Sequence, residues 1–227
     1  MKKILMIVLT LAVASFSCEY ASATMLFAKG KRLVVSPDNA KIYIDGNYVG
    51  DGSFEVRFGG KDDFFMVRVE APGYVEKKMR IFKHDKRNVI AIDLRKDDTI
   101  ENSVASNLAN QYFTINVRPD VDEDLAWKLL SQVMLNYFNE LKTSDKASGY
   151  MNTNWVVETF AESEQKVRTM VQIKQVTGGD GLSYQIRISS EIAPLDAVGQ
   201  QGFKPWNRVL KRFEPLVNEM QSRIGDN

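Results

Sequence analysis

At 227 residues and 25.8 kDa, with 44% hydrophobic, 26% charged and 10% aromatic residues, the chain has the composition of a folded protein, which excludes a disordered or fibrous one. Its 30 basic and 29 acidic residues nearly cancel, so no whole-chain field attracts nucleic acid, and nucleic acid is not expected as a partner. One cysteine and one histidine exclude an intramolecular disulfide and a zinc site of four Cys and His ligands, and no cofactor is expected.

The chain opens as an export signal. Met1-Lys2-Lys3 supplies the positive start, and the apolar run from Ile4 to Phe16 is too short to span a bilayer as an ordinary helix. Two processing sites compete. Ala21-Ser22-Ala23 fits the small-x-small rule and makes residues 1–23 a signal peptide. Ser15-Phe16-Ser17-Cys18 resembles a loose bacterial lipobox, which would end the signal at residue 17 and place a diacylglycerol on Cys18. Ser17 fits that pattern, whereas Phe16 and Ser15 depart from its usual small and Leu residues. Either route predicts an exported chain, in the periplasm or anchored to the cell envelope, with 24–31 as a linker. No later run approaches the roughly 18 apolar residues of a membrane span.

From Arg32 to Leu94 the pattern is one of short strands: Leu33 to Val35, Lys41 to Ile44, Phe54 to Phe58, Phe64 to Ala71, Val75 to Phe82 and Val89 to Leu94, broken by Gly, Pro, Asp and Asn. Asp45-Gly46 stands between two of them, where glycine supplies the positive φ of a tight hairpin. The expectation is a small antiparallel sandwich, with no room for a typical enzyme pocket. Ser36-Pro37-Asp38-Asn39-Ala40, followed by Lys41 to Gly46, Gly50 and the distant Ala71-Pro72-Gly73-Tyr74, resembles a PEGA domain over about residues 32–95. Asp38-Asn39 replaces the eponymous Glu-Gly, and Gly52-Ser53 stands where Thr-Pro is common. The resemblance implies a β-sandwich module of bacterial surface and envelope proteins, without catalytic residues.

Residues 96–109 are polar at their start, lack apolar periodicity and read as a linker. An α+β domain is expected over 110–227. Tyr112 to Val117 reads as a strand, and Asp122-Glu123-Asp124 as the acidic first turn of a helix running to about Lys142. Strands are expected at Trp155 to Phe160, Val167 to Val176 and Leu182 to Ser190. Trp206, Val209, Leu210, Phe213, Val217, Met220 and Ile224 have helical spacing, with Pro215 expected to kink that helix. The resulting order, β-α-β-β-β-α, with aromatic-rich helices against a curled antiparallel sheet, resembles the helix-grip arrangement of NlpB/BamC-type envelope lipoproteins. The fold class is therefore two domains, an all-β PEGA-like sandwich and an α+β helix-grip-like domain.

Residues capable of chemistry are sparse. His84 beside Asp85 has the composition of a general base, but a solvated turn explains both. Asp122-Glu123-Asp124 lacks the alternating oxygens of a calcium loop, and Gly178-Gly179-Asp180-Gly181 lacks the Lys-Ser/Thr of a phosphate loop. Asp45 with Asp51, or Glu158 with Glu191, would have to converge to act as a glycosidase pair. The basic cluster Lys77, Lys78, Arg80, Lys83, Lys86 and Arg87 suits lipid headgroups or acidic wall polymer, or simply protects a strand edge.

The expected function is non-catalytic: a bacterial envelope protein that binds or scaffolds another envelope protein or cell-wall component. The alternative is a binding protein for a lipid or other apolar ligand, held in a helix-grip cavity lined by Trp127, Trp155, Phe160 and Trp206. A cavity of roughly 300 Å³ or more would favour the ligand, and a filled interior would favour recognition of a macromolecule.

Overall fold

The computed structural model describes residues 30–176 and 181–226. Cys18, both processing sites and residues 178–180 lie outside the described residues. Two hydrophobic cores form, one within residues 33–94 and one within 109–224.

The first core lies between two sheets. β1 (Lys31–Ser36), β2 (Lys41–Ile44), β3 (Asn47–Asp51), β4 (Ser53–Val56), β5 (Phe64–Glu70), β6 (Lys77–Phe82) and β7 (Val89–Asp93) pair in the orders β4-β1-β7 and β3-β2-β5-β6. Alternation in β1 and β7 sends Leu33, Val35, Ile90 and Ile92 inward to meet Ile42, Val67, Val69 and Ile81 of the second sheet. The Asp45-Gly46 hairpin forms as its sequence predicts, with both residues at positive φ, 48° and 86°. One expectation fails: β1 and β7 are parallel, registered from Arg32↔Val89 to Ser36↔Asp93. Parallel neighbours need a long crossover, and here residues 37–88 supply it by building the other strands.

Residues 96–109 are structured, contrary to the linker expectation. They contain α1 (Asp98–Glu101) and β8 (Ser103–Ala105). The Asp97 carboxylate accepts from the Thr99 and Ile100 amides and so caps α1, while the Asp97 N–H donates to the Gly73 carbonyl of the first unit. Arg208 donates to the carbonyls of Ile100 and Ser103 and to Ser103 Oγ, tying the segment to the second unit.

The second unit is built on a long hairpin. After β9 (Tyr112–Asn116), α2 (Glu123–Tyr137), β10 (Leu141–Asp145), β11 (Tyr150–Thr153) and β12 (Val156–Phe160) come β13 (Gln165–Val176) and β14 (Ser183–Pro194), paired from Gln165↔Pro194 to Val176↔Ser183. β12 and β11 share the outer edge of β13, and β10 adds beyond β11. β9 and β15 (Lys204–Pro205) share the outer edge of β14. α2 and α3 (Pro215–Ile224) cover one face of this antiparallel sheet. Leu130, Val133, Met134, Leu216, Met220 and Ile224 pack there against Val167, Val171, Ile173, Tyr184 and Ile186.

Two helices differ from expectation. α2 ends at Tyr137 instead of Lys142, because Phe138 turns extended and Leu141–Asp145 pairs with β11. The apolar spacing from Trp206 to Ile224 is satisfied in pieces: β16 (Arg208–Leu210) pairs with β8, a 3-10 turn covers Lys211–Phe213, and α3 begins at Pro215. At the first turn the missing proline N–H costs nothing, so Pro215 starts the helix instead of kinking it. The observed order therefore adds β8, β10, β11, β15 and β16 to β-α-β-β-β-α.

Candidate functional site

The second sheet has one face covered by helices and one open face, and the period of two divides its residues between them. Val167, Thr169, Val171 and Ile173 of β13 point to the helices, whereas Lys166, Arg168, Met170, Gln172 and Lys174 stand on the open face. Cross-strand register then assembles rows on that face. One reads Asn152, Gln172, Arg187, Tyr112 from β11 to β9, and the next reads Tyr150, Lys174, Gln185, Thr114.

At one end of the face Arg168 is 8% exposed and lies between two rings, 4.3 Å from the Trp155 centroid and 4.0 Å from that of Phe203. Its Nε donates to Glu191 at 2.7 Å, and its Nη1 to Gln200. This charge is fully used. Towards the other end, Lys174 and Arg187 approach the Tyr112 ring, at 5.1 and 5.5 Å from its centroid. Burial pushes the Tyr112 hydroxyl upward, but the neighbouring Lys174 and Arg187 outweigh it and hold the group below its ordinary value. Among the described residues neither cation has a carboxylate partner. The carboxylates that share this face are engaged elsewhere: Glu191 with Arg168, and Asp145 with the Ala147 and Ser148 amides of its own hairpin. Asn152 is 7% exposed, and its Oδ1, like Nε of Arg187, is buried without a hydrogen-bond partner among the described residues.

The four aromatic residues expected to line one cavity do not converge. Phe160 is buried in the second core, with Trp127 and Trp206 packed against it, whereas Trp155 is on the opposite face with Arg168. The space between helices and sheet is occupied: Leu130, Met134, Ile173, Tyr184, Leu216 and Met220 are all 0% exposed. Trp155 does border an open cleft of about 430 Å³ with Phe138, Asn139, Asn154 and Val156, at the rim of that core, to which Phe138 belongs.

The candidate catalytic groups are accounted for structurally. Asp122 caps α2 by accepting from the Leu125 amide, and Asp124 pairs with Lys146. Glu158 lies opposite Val167 on the helix-covered face and pairs with Arg212 at 2.9 Å, while Glu191 is on the open face, so the sheet separates these two carboxylates. Asp45 Oδ1 accepts from the Met66 amide. His84 is exposed beside Phe82, and Asp85 is occupied by Arg87, which holds its carboxyl far below the usual range.

In the first unit, Gly52 sits at a φ of +64°, where a Cβ would lie 2.2 Å from the Asp38 carbonyl oxygen. The Ser36–Asn39 turn and the β3–β4 corner thus meet backbone to backbone. The model of the PEGA domain matches residues 33–97. Residues 33–97 are a PEGA domain. No curated protein matches the chain. Within the PEGA domain the expected basic cluster is dispersed and partly neutralised. Lys78 pairs with Glu76 at 2.8 Å, Arg87 with Asp85 at 2.6 Å, and Lys83 donates to the Gly59 carbonyl. Arg80 shares the outer face of the four-stranded sheet with Phe64, over whose ring it lies at 5.2 Å. Lys77 is exposed on the edge strand β6, and Lys86 in the turn that follows.

Sequence reasoning missed Arg168, Lys174, Arg187, Tyr112 and Asn152. The signal was present as polar-apolar alternation through Lys166–Lys174, broken only at Thr169 and Met170, which marks a strand with one face outside the core.

Proposed function

We propose that this chain is a non-catalytic cell-envelope protein in which the PEGA domain presents a second, helix-grip-like domain, and that the second domain recognises another envelope macromolecule through its open sheet face. The observation that carries this reading is the pair Lys174 and Arg187, two cations facing outward on adjacent central strands without carboxylate partners among the described residues. Structures that lack a partner satisfy such charges with water, and a partner with complementary charge replaces that water.

Met1–Ala23, read as an export signal, and the envelope setting usual for PEGA domains support export. Among the described residues no helix is long and apolar enough to cross a membrane. Attachment, where it occurs, would use the lipid on Cys18, and metabolic labelling with an alkyne fatty acid distinguishes a Cys18 lipoprotein from a chain cut after Ala23. The filled helix–sheet interior supports macromolecular recognition over the apolar-ligand alternative.

The test is in-cell cross-linking of the native protein, with mass spectrometry of what is captured. Recurrent capture of one or two envelope components through β9, β13 or β14 supports the reading. Capture confined to abundant neighbours, spread evenly over the surface, sinks it.

A further inference from the structure

We infer that the open sheet face binds an acidic polypeptide segment, which bridges Lys174 and Arg187 with a carboxylate and meets Asn152 with a backbone N–H. This inference rests on the recognition reading above and adds the chemistry of the partner.

Three features converge. The first is charge: β13 and β14 place Lys166, Arg168, Lys174 and Arg187 on this face, and its carboxylates Glu191 and Asp145 are already engaged. The unmet charge is therefore positive and local, although the chain as a whole is almost neutral. The second is polarity of the opposite kind. Asn152 Oδ1 is an acceptor, nine-tenths buried in residue terms and unpartnered among the described residues, so the occupant must also bring a donor. Sulfate and the internal units of polyphosphate bring acceptors alone, whereas a peptide containing Asp or Glu brings amide N–H groups and carboxylates on one backbone. The third is span. Asn152 and Arg187 are separated by the intervening β13, hence by about 10 Å at ordinary strand spacing. That is roughly the reach of three extended residues. Tyr112 and Tyr150 flank the two rows and offer ring faces and hydroxyls to the same segment.

The experiment uses the full chain and fluorescence anisotropy. The probe is a labelled peptide of alternating Glu and Gly, and the competitors are its Gln-for-Glu counterpart, inorganic polyphosphate and polygalacturonate. The acidic peptide should bind saturably, and its Gln counterpart at least about tenfold more weakly, the loss of one good charged contact. Arg187→Gln and Lys174→Gln should each weaken binding about tenfold, as should Asn152→Leu, which keeps the volume but cannot accept a hydrogen bond. Lys128→Gln, on the exposed side of α2, should change nothing. Far-UV circular dichroism and the melting temperature check that each variant folds, and Arg187→Lys retains charge if Arg187→Gln does not fold.

Absence of binding by the acidic peptide, or binding indifferent to both Arg187→Gln and Lys174→Gln, overturns the inference. Polyphosphate competing as well as the acidic peptide, with Asn152→Leu without effect, also overturns it, because the face would then require anions only. Polygalacturonate competing as well as the peptide overturns it too, because its hydroxyls and carboxylates would then serve without a polypeptide backbone. A photo-crosslinking residue at Gln185, which shares the row with Lys174, separates this failure from that of the broader reading. A captured acidic segment supports both. A captured segment without Asp or Glu overturns the acidic class and leaves recognition standing, and no capture at all overturns both.

Discussion

Arg168 is 8% exposed and fully charged, so its surroundings must compensate the lost hydration, which Glu191, Gln200 and the faces of Trp155 and Phe203 do together. Arg168→Ala leaves Glu191 without its partner and the two rings without their filling. A loss of about 2–3 kcal/mol is expected, below the full cost of a buried pair because the Glu191 side chain is 23% exposed. Denaturant unfolding measures it, and Arg168→Lys should recover less than half, since an ammonium cannot stack in the planar slot. Tyr184 makes the opposite case. It is 0% exposed, its hydroxyl has no partner among the described residues, and burial, with a smaller contribution from Glu123, pushes that hydroxyl up to about 12. Tyr184→Phe removes an unpaired polar atom and should be neutral or stabilising by up to about 1 kcal/mol at pH 7. Because the folded value is raised above the unfolded value of about 10, the contribution is fully present below pH 10 and is lost as pH rises through 12. Urea titrations between pH 9 and 11 should therefore show a shallower alkaline decline for Tyr184→Phe than for the parent, and identical slopes would disprove the assignment.

The element most exposed to such titration is α1. Burial raises the Asp98 carboxyl, but the Glu162 and Ser163 amides that donate to it outweigh this and, with the polar surroundings at Ser163, hold it below its ordinary value. A lowered folded value means that the contact stabilises above the unfolded value of about 3.9 and is lost as pH falls through the folded one. Hydrogen exchange of the Glu162 and Ser163 amides should accelerate, after correction for intrinsic rates, below about pH 4 in the parent and already at pH 7 in Asp98→Ala. Unchanged protection in that variant would show that the contact holds nothing. α1 also shows where sequence reading ran short. Four helical residues and three of strand carry no periodicity, so 96–109 read as a linker although tertiary partners fix it. Asp45-Gly46, by contrast, was legible because turn chemistry is local. Leu141 was not, since one apolar residue at helical spacing from Tyr137 fits a helix as well as it fits β10. The open face was legible only as alternation in β13; which cations lacked partners depended on register with β14 and β11, a non-local property.

Across the whole molecule, two cores meet through a few polar contacts. Asp98 accepts from Glu162 and Ser163, and Arg95 approaches Glu162 and Glu164 at 3.7 and 3.3 Å on an exposed surface where such pairs contribute little. Each core, by contrast, buries large aliphatic side chains whose truncation to Ala costs about 2–5 kcal/mol. Coupling between the units should consequently be weaker than cohesion within either one. Calorimetry tests this with Ile90→Ala in the PEGA sandwich and Leu130→Ala between α2 and the sheet, both at most 1% exposed. Two transitions are expected, with each substitution lowering one of them by about 10 °C or more and leaving the other in place. A single transition lowered equally by both would mean that the connector transmits the full stability of one core to the other. In that case the open sheet face could not engage a partner without the PEGA domain sensing it.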